Sequence, residues 1–226
     1  MSLTTGRGPL SPHPAGRFEP PLPGEVTYIE PFLRRIRGKD RVRTVIDTER
    51  AFLVHRSGAP PTYAFPASDV HDVACEPEPA VPGYVRVAWH SVPRWYEEEE
   101  EVFGHPRNPY HRVDCVASHR RLRVEVGGEV LVDTTDVIAL FETSLAPKLY
   151  VRRDLVRMDL LVAGATTTYC PYKGTAWYWT AVVGDTVVDD VAWSYHEPLP
   201  ESSPIAGYLS FDPARADVRA DVLTAD

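Results

Sequence analysis

Two parts of this chain match each other, and this internal repeat constrains the fold more than any other feature of the sequence. Asp47-Thr48 matches Asp133-Thr134 at an offset of 86 residues (133 minus 47). Further along, Gly83-Tyr84 matches Gly207-Tyr208, but there the offset is 124 residues (207 minus 83). Because a repeated sequence indicates a repeated structural unit, we predict two copies of one domain.

The change in offset means that the first copy lacks a block that the second has. The block is about 38 residues long (124 minus 86) and roughly coincides with residues 166–195. The first 24 residues hold six prolines and four glycines, and they are too poor in apolar side chains to offset the entropy of ordering. We therefore predict a flexible leader, a shortened first repeat, a linker and a complete second repeat, at residues 1–24, 25–104, 105–120 and 121–226.

Alternation of apolar and polar residues predicts that the second repeat is mainly β. Residues 121–126 alternate, Gly127-Gly128 supplies a tight turn, and a strand resumes at 129–133, which is typical of a hairpin. A second hairpin is predicted from 176–183 and 186–188. Further strands are predicted at 137–141, 149–151, 156–161, 191–195 and 208–211.

Short helices are expected near the end of each repeat. Residues 92–103 form one candidate, with Trp95 and Val102 as anchors, and the acidic run 97–101 is interpreted as its solvated face. Residues 213–223 form the other candidate. Residues 28–36 are compatible with either an edge strand or a short helix.

Charge and hydropathy limit the partners and the compartment. The formal net charge is −8, so the chain lacks the basic face that phosphate contacts need, and no nucleic acid is expected as a partner. No apolar run approaches the roughly 20 residues of a membrane span, and the N-terminus does not resemble a signal peptide. We expect a cytoplasmic protein without a membrane partner, and the sequence leaves its oligomeric state open.

The three cysteines indicate free thiols. Cys75, Cys115 and Cys170 are odd in number and contain no C-x-x-C pair, which fits neither a disulfide framework nor a zinc site. His111, Cys115 and His119 have helical spacing, but Pro109 and the β-favouring residues around Cys115 argue against a helix there. We predict neither a metal nor a cofactor.

The stretch 166–195 is the candidate functional region. It holds seven of the 23 aromatic residues and Lys173, one of only three lysines among the 24 basic residues. A lone cation among aromatic rings suits an anionic or carbonyl-bearing small molecule. Trp177 and Trp179 lie two apart and so share one face of a strand, with Tyr178 on the other. Ordinary core packing is the alternative interpretation of these rings.

The residues 170–174 have the composition of a turn, since proline and glycine favour turn conformations. Such a turn brings Lys173 near Cys170, and a nearby cation lowers the pKa of a thiol. Cys170 is therefore a candidate nucleophile, or else a structural residue. Glu142 and Asp159 are candidates for acid and base work, with a salt bridge to Arg157 or another arginine as the alternative.

Several blocks resemble a known family. RVEVGGEVLVDT at 123–134, LFET at 140–143, TTTYCPYKGTAWYW from 166 and AWSYHEPLPESSPIAGYLSF at 192–211 are similar to the bacterial domain-of-unknown-function 427 family, which often occurs as tandem copies. The resemblance implies a β-tent or Mss4-like fold, in which two antiparallel sheets meet and leave a cleft. Zinc is common in that fold group through C-x-x-C pairs, which this chain lacks. The family is sometimes labelled a nucleotidyltransferase.

Together these observations predict a mainly β protein with two β-tent-like (Mss4-like) antiparallel sheet domains in tandem, the first truncated, and short terminal helices. The complete copy is expected to hold one small-molecule pocket, either as a binding site or as an enzyme; the alternatives are a non-catalytic interaction module and a nucleotidyltransferase. The candidate catalytic residues are Cys170, Lys173, Glu142 and Asp159. The candidate ligand-binding residues are Tyr169, Tyr172, Lys173, Trp177, Trp193 and Tyr195.

Overall fold

The alternating sequence forms antiparallel sheets in two separate units. A computed structural model describes residues 3–22 and 24–221, and the chain divides into Met1–His111 and Arg112–Asp226. The prediction that the chain is mainly β is confirmed, since strands dominate and the helical residues lie in short 3₁₀ turns. No helix within the described residues is long and apolar enough to cross a membrane.

The described residues of the first unit form nine strands in two sheets. The strands are β1 Thr27–Pro31, β2 Ile36–Asp40, β3 Arg43–Thr48, β4 Phe52–Arg56, β5 Thr62–Pro66, β6 Glu76–Pro77, β7 Tyr84–Arg86, β8 Arg94–Glu97 and β9 Glu100–Val102. They pair in the orders β1-β4-β5-β7-β6 and β3-β2-β8-β9. Two 3₁₀ turns, Ala67–Asp69 and Trp89–Ser91, lie between the strands. Side chains from both sheets, among them Ile36, Leu53, Phe65 and Trp95, form the buried core.

The second unit contains ten strands in two sheets. The strands are β10 Val113–Ser118, β11 Leu122–Val126, β12 Glu129–Thr134, β13 Val137–Glu142, β14 Lys148–Val151, β15 Leu161–Cys170, β16 Gly174–Val183, β17 Thr186–Tyr195, β18 Leu209–Phe211 and β19 Asp217–Ala220. The large sheet has the order β10-β13-β14-β18-β17-β16-β15, and the small sheet has the order β12-β11-β19. Three 3₁₀ turns connect them, at Arg153–Leu155, Met158–Leu160 and Pro200–Ile205.

The two faces of the large sheet have different surroundings. One face packs against the small sheet around Val124, Leu131, Val151, Trp179 and other buried side chains. The opposite face, which we call the outer face, carries a second cluster built from Val113, Leu140, Tyr150, Ala176, Tyr195 and Ile205. The space between the two sheets is therefore filled by core side chains, whereas the resemblance implied a cleft there.

Three predicted elements are wrong. Residues 92–103 form the β8–β9 hairpin and not a helix, because Trp95 and Glu97 alternate with exposed or half-buried neighbours and pair with β2. The acidic run therefore has no helical face: Glu97 is buried and Glu98 turns the chain with φ of 53°. The predicted anchors Trp95 and Val102 are buried, but as opposite residues in the hairpin register.

The predicted terminal helix at 213–223 is also replaced by a strand, β19, up to the last described residue, 221. Its residues pair with β11, where alternation suits the surface of the small sheet. Residues 156–161, predicted as a strand, instead contain the 3₁₀ turn Met158–Leu160, and β15 begins only at Leu161. The segment before residue 25, expected to be a flexible leader, makes hydrogen bonds to a surface loop, such as Gly58 N to the carbonyl of Thr4 at 2.7 Å.

Candidate functional site

Lys173 lies in the turn that joins β15 to β16. The turn predicted from the sequence is confirmed by the hydrogen bond that Lys173 N donates to the carbonyl of Cys170, at 3.3 Å. Gly174 follows with φ of 91°, a conformation that other residues rarely adopt. Leu199 N donates to the carbonyl of Lys173 at 3.1 Å, so the chain that leaves β17 packs onto the turn.

The Lys173 ammonium forms an ion pair with Glu142, the last residue of β13. The two side chains are only 10% and 9% exposed. The contact predicted from the turn was with Cys170, yet the ammonium donates to the Glu142 carboxylate. A buried pair of opposite charges is largely self-neutralising, so the positive charge of Lys173 is committed within the protein.

A cavity of about 480 Å³ opens on the outer face of the large sheet beside this pair. Residues directly opposite each other in an antiparallel sheet project to the same face. The register pairs Tyr178 with Trp193 and Leu140 with Lys148, which places these four side chains together. The residues that line the cavity are Leu140, Glu142, Leu145, Ala146, Lys148, Tyr150, Lys173, Tyr178, Trp193, Tyr195 and Asp212.

Lys148 is the cation of this cavity that has no acidic partner. Among the residues that the structure describes it makes no ion pair, and its ammonium lies 5.8 Å from the centre of the Trp193 ring. Asp212, which also lines the cavity, pairs with Arg215 at 3.5 Å. A cation over an aromatic face and beside apolar side chains remains available to an anionic group.

Two tyrosine hydroxyls complete the polar lining. Burial raises the pKa of Tyr150 and of Tyr195 well above the ordinary value for tyrosine, and nearby acidic groups add to the shift. Both hydroxyls therefore stay protonated at neutral pH. Trp193 Nε1 donates to the Tyr150 hydroxyl at 3.0 Å, which leaves the Tyr150 proton for another acceptor.

Four of the predicted site residues meet in the cavity, namely Glu142, Lys173, Trp193 and Tyr195. Tyr172 packs against the hydrophobic cluster of the outer face. Tyr169 and Trp177 lie on the opposite face of the hairpin, because Tyr169 pairs with Thr175 and Trp177 alternates with Tyr178. The single site predicted for these rings is thus divided between two faces of one sheet.

The remaining candidates are not among the residues that line the cavity. Asp159 is exposed and forms a two-bond ion pair with Arg157, at 2.7 and 2.8 Å, which is the alternative that the sequence offered. Cys170 is half-buried and is not among the residues that line the cavity. Cys115 faces the same side as Leu140, and burial, followed by the charge of Asp114, raises the pKa of its thiol. His196 stacks on Trp177.

Sequence reasoning missed Lys148, Tyr150 and Tyr178 as lining residues. A signal for Lys148 was present, since only three lysines occur in the chain and two of them line this cavity. Alternation along the strand placed Tyr178 on the face opposite Trp177 and Trp179. That Tyr178 lies opposite Trp193 could be known only from the pairing of β16 with β17. Within the described residues no group of three or more His, Cys, Asp or Glu side chains is placed to hold a metal ion.

Comparison with known proteins places the second unit in a family. No protein of curated function matches the chain. Residues 114–222 match the family model described as a domain of unknown function, DUF427, which also carries the label NTP_transf_9. The matched range covers the strands that bear the cavity, from β10 to β19. The match assigns residues 114–222, within the second unit, to the DUF427 family.

Proposed function

We propose that the second unit binds a small anionic or carbonyl-bearing molecule in the cavity of the outer face, as a cytoplasmic metabolite-binding protein. The observation that carries this proposal is Lys148, a cation that forms no ion pair with any described residue and lies in a cavity of about 480 Å³ beside aromatic rings. Ligand pockets are commonly apolar concavities of this size with a few polar groups that orient the ligand.

We assign Lys148, and not Lys173, as the residue that pairs with the negative charge of the ligand. The Lys173 ammonium is already neutralised by Glu142, and extracting it from the pair would leave a buried carboxylate without a counterion. The ammonium of Lys148 lies over the face of Trp193 and has no acidic partner in the described part of the chain, so a ligand carboxylate can share this interaction. The Tyr150 hydroxyl supplies a second donor for the same oxygen atoms.

The body of the ligand is expected to be apolar or aromatic. Tyr178 and Trp193 lie on one face with ring centroids 6.4 Å apart and a tilt of 43°. Leu140 and Leu145 add aliphatic surface to the same cavity. An acid with a hydrophobic body therefore matches the lining better than a compact polyanion, which would need several unpaired cations.

The first unit is proposed to be a shortened copy without this site. Its strands β1 and β10, and the turns Ala67–Asp69 and Arg153–Leu155, begin 86 residues apart, in agreement with the sequence repeat. In the first unit no described strand corresponds to the long strands β15, β16 and β17. These strands and the turn between β15 and β16 supply Lys173, Tyr178, Trp193 and Tyr195, so the first unit is assigned a scaffold role.

The proposal is for binding, without a chemical step. The nucleophile hypothesis needed Lys173 beside Cys170, whereas the ammonium binds Glu142 and Cys170 lies outside the lining. A protein-interaction module and the nucleotidyl transfer that the family label suggests are kept as alternative outcomes of the test.

The test is a thermal-shift screen of metabolite acids that includes nucleoside triphosphates. A ligand at a hundredfold excess over its Kd should stabilise the native state by about 2.7 kcal/mol. Lys148→Met should remove the shift given by acidic hits and keep the fold, since methionine retains the length and apolar stem of lysine. Lys39→Met is the matched control, because Lys39 also lies over an aromatic ring, Tyr96 at 5.0 Å, in the first unit.

Three outcomes would contradict the proposal. If acidic hits stabilise Lys148→Met as much as the unmodified chain, the cation has been assigned to the wrong residue. If nucleoside triphosphates alone bind, the family label is favoured over a hydrophobic acid. If no small molecule binds, the interaction module becomes the better interpretation.

A further inference from the structure

The hairpin of β15 and β16 also presents aromatic side chains on the face opposite the cavity. Tyr169 lies opposite Thr175, and Thr167 lies opposite Trp177, so all four side chains project to that face. The cavity residue Tyr178 projects to the other side, because neighbours along a strand alternate. This second face is therefore separate from the proposed acid-binding cavity.

The small sheet covers only part of this face. Trp179 belongs to the core between the two sheets and is 8% exposed. Trp177, two residues earlier on the same face, is 46% exposed, and Tyr169 is 41% exposed. The end of the hairpin thus extends past the small sheet and leaves large rings in contact with solvent, where burial would have been favourable.

His196 and polar side chains complete this surface. The His196 ring stacks on Trp177 with centroids 5.6 Å apart and an angle of 4° between the planes. Thr175, Trp177, His196 and Glu197 line a cavity of about 310 Å³. The imidazole covers part of one face of the Trp177 indole, and the exposed remainder of that ring, 46% of the residue, is bordered by a hydroxyl and a carboxylate.

We propose that this surface, the Trp177 platform formed by Tyr169, Thr175, Trp177, His196 and Glu197, binds a saccharide. A pyranose ring has one face of C–H groups, which a flat indole can cover, and a rim of hydroxyl groups, which carboxylate, imidazole and hydroxyl side chains can hydrogen bond. The volume of about 310 Å³ is suited to one or two sugar rings.

The negative charge of the platform favours a saccharide over a nucleotide as its ligand. Nucleobases also stack on aromatic rings, but nucleotide binding normally adds cations for the phosphates. Among the residues that the structure describes, the cavity is lined by the acidic Glu197 and by neither lysine nor arginine, and the whole chain has a net charge of −8. A neutral ligand rich in hydroxyl groups is the complement of such a surface.

The experiment is a titration of the full chain with cello-, malto- and chito-oligosaccharides, followed through the backbone amide and tryptophan indole signals in two-dimensional NMR spectra. At least one series should shift the Trp177 signal saturably, with a Kd on the order of 1 mM. Trp177→Ala should weaken that binding about tenfold or more, and Glu197→Gln should weaken it less. Phe141→Ala is the control, since Phe141 is an exposed ring of the same sheet at 41% exposure.

The Trp177 signal is identified by its loss in Trp177→Phe, which should retain part of the affinity. Saccharide binding that is unaffected by Trp177→Ala would overturn the proposal, as would perturbation by adenosine without any by saccharides. No shift with any of the three oligosaccharide series would overturn it as well. These results do not depend on whether the other cavity binds an acid, because acid binding is tested separately with the Lys148→Met variant.

Discussion

At the scale of residues, the ion pair of Glu142 with Lys173 has a counterpart of opposite polarity in the first unit. Arg56 lies 86 residues before Glu142, at the end of β4, and it pairs with the buried Glu78. The first unit thus holds an ion pair at the strand end 86 residues earlier, with a buried carboxylate and an arginine side chain that is 31% exposed. This comparison assigns a structural role to the pair and leaves Lys148 as the ligand's cation.

If the ion pair of Glu142 with Lys173 is structural, the free energies of unfolding of its single and double variants should not be additive. Lys173→Met should destabilise the second unit by about 3–5 kcal/mol, because it leaves the Glu142 carboxylate buried without a counterion. The double variant Glu142→Leu with Lys173→Met should recover most of that loss, since both desolvation costs disappear. Urea denaturation of the two single variants and the double variant measures this coupling. Additive losses would show that the two residues do not act as a pair.

A second residue-scale prediction concerns His55 in the first unit. The ring is fully buried, its Nε2 lies 2.9 Å from a Glu30 oxygen, and its Nδ1 has no partner among the described residues. Burial lowers the pKa of His55 from its usual value, although the hydrogen bond to Glu30 opposes the shift. The rings of Tyr28 and Tyr110 pack around it, at 5.7 and 5.8 Å.

The sign of the pH effect follows from this lowered pKa. Below about pH 6.5 the unfolded chain takes up a proton at His55 that the folded chain does not, so the unfolded state is favoured. The contribution of His55 is thus fully present above that pH and is lost as the pH falls toward the folded pKa. His55→Gln should reduce the loss of stability between about pH 7.5 and 5.5. Burial also lowers the pKa of His105, so part of the pH-dependent loss of stability should remain in the variant. If stability falls with pH as steeply in His55→Gln as in the unmodified chain, His55 is not a source of that loss.

Among the secondary-structure elements, the positions of the hairpins could be predicted from the sequence, but the burial of their side chains by neighbouring strands could not. Alternation and Gly127-Gly128 located β11 and β12, and the Gly184-Asp185 turn located β16 and β17. Alternation also placed Trp177 and Trp179 on one face, but their different exposures depend on where the small sheet ends. That limit is set by tertiary packing, which a local pattern does not contain.

Tertiary packing also explains why residues 97–101 were predicted as helical and why the pair of Glu142 with Lys173 was not predicted. The five acids at 97–101 favoured a helix in isolation, yet Glu97 is buried where it accepts a hydrogen bond from the Tyr63 hydroxyl at 2.7 Å. Glu142 and Lys173 were both predicted as site residues, but their pairing joins β13 to a turn 31 residues further along the chain. Contacts of such separation follow from strand order, which the sequence pattern left open.

The turn between β15 and β16 gives the prediction at this scale. Gly174→Ala should destabilise the second unit by about 2 kcal/mol, because φ is 91° and an added Cβ would lie 3.3 Å from the carbonyl oxygen of Glu197. Gly184→Ala is the matched control: its φ is also positive, at 56°, but nothing lies within 4 Å of an added Cβ. It should cost about 1 kcal/mol. Equal losses in thermal or urea unfolding would argue against the close packing of the turn.

At the scale of the whole molecule, each unit has its own hydrophobic core. The clusters around Val124 and around Leu140 draw their members from the second unit, and the cluster around Leu53 draws its members from the first. A unit with a complete core can fold independently. The family match also covers the second unit alone, at residues 114–222.

Residues 112–226 produced alone should therefore unfold in one cooperative transition and bind the same acidic hits as the full chain. Thermal unfolding with and without a hit measures both properties. A fragment that folds but has lost the hits would show that the first unit contributes to the binding site. This result would contradict the scaffold role assigned to the first unit.

A crystal structure of the full chain with the strongest acidic hit would show whether the outer face of the large sheet binds an acid at Lys148. We expect the carboxylate within about 3 Å of the Lys148 ammonium, with the ligand's body against Tyr178 and Trp193 and the Glu142–Lys173 pair intact. A ligand bound outside this cavity, or one that displaces Glu142 from Lys173, would contradict this expectation.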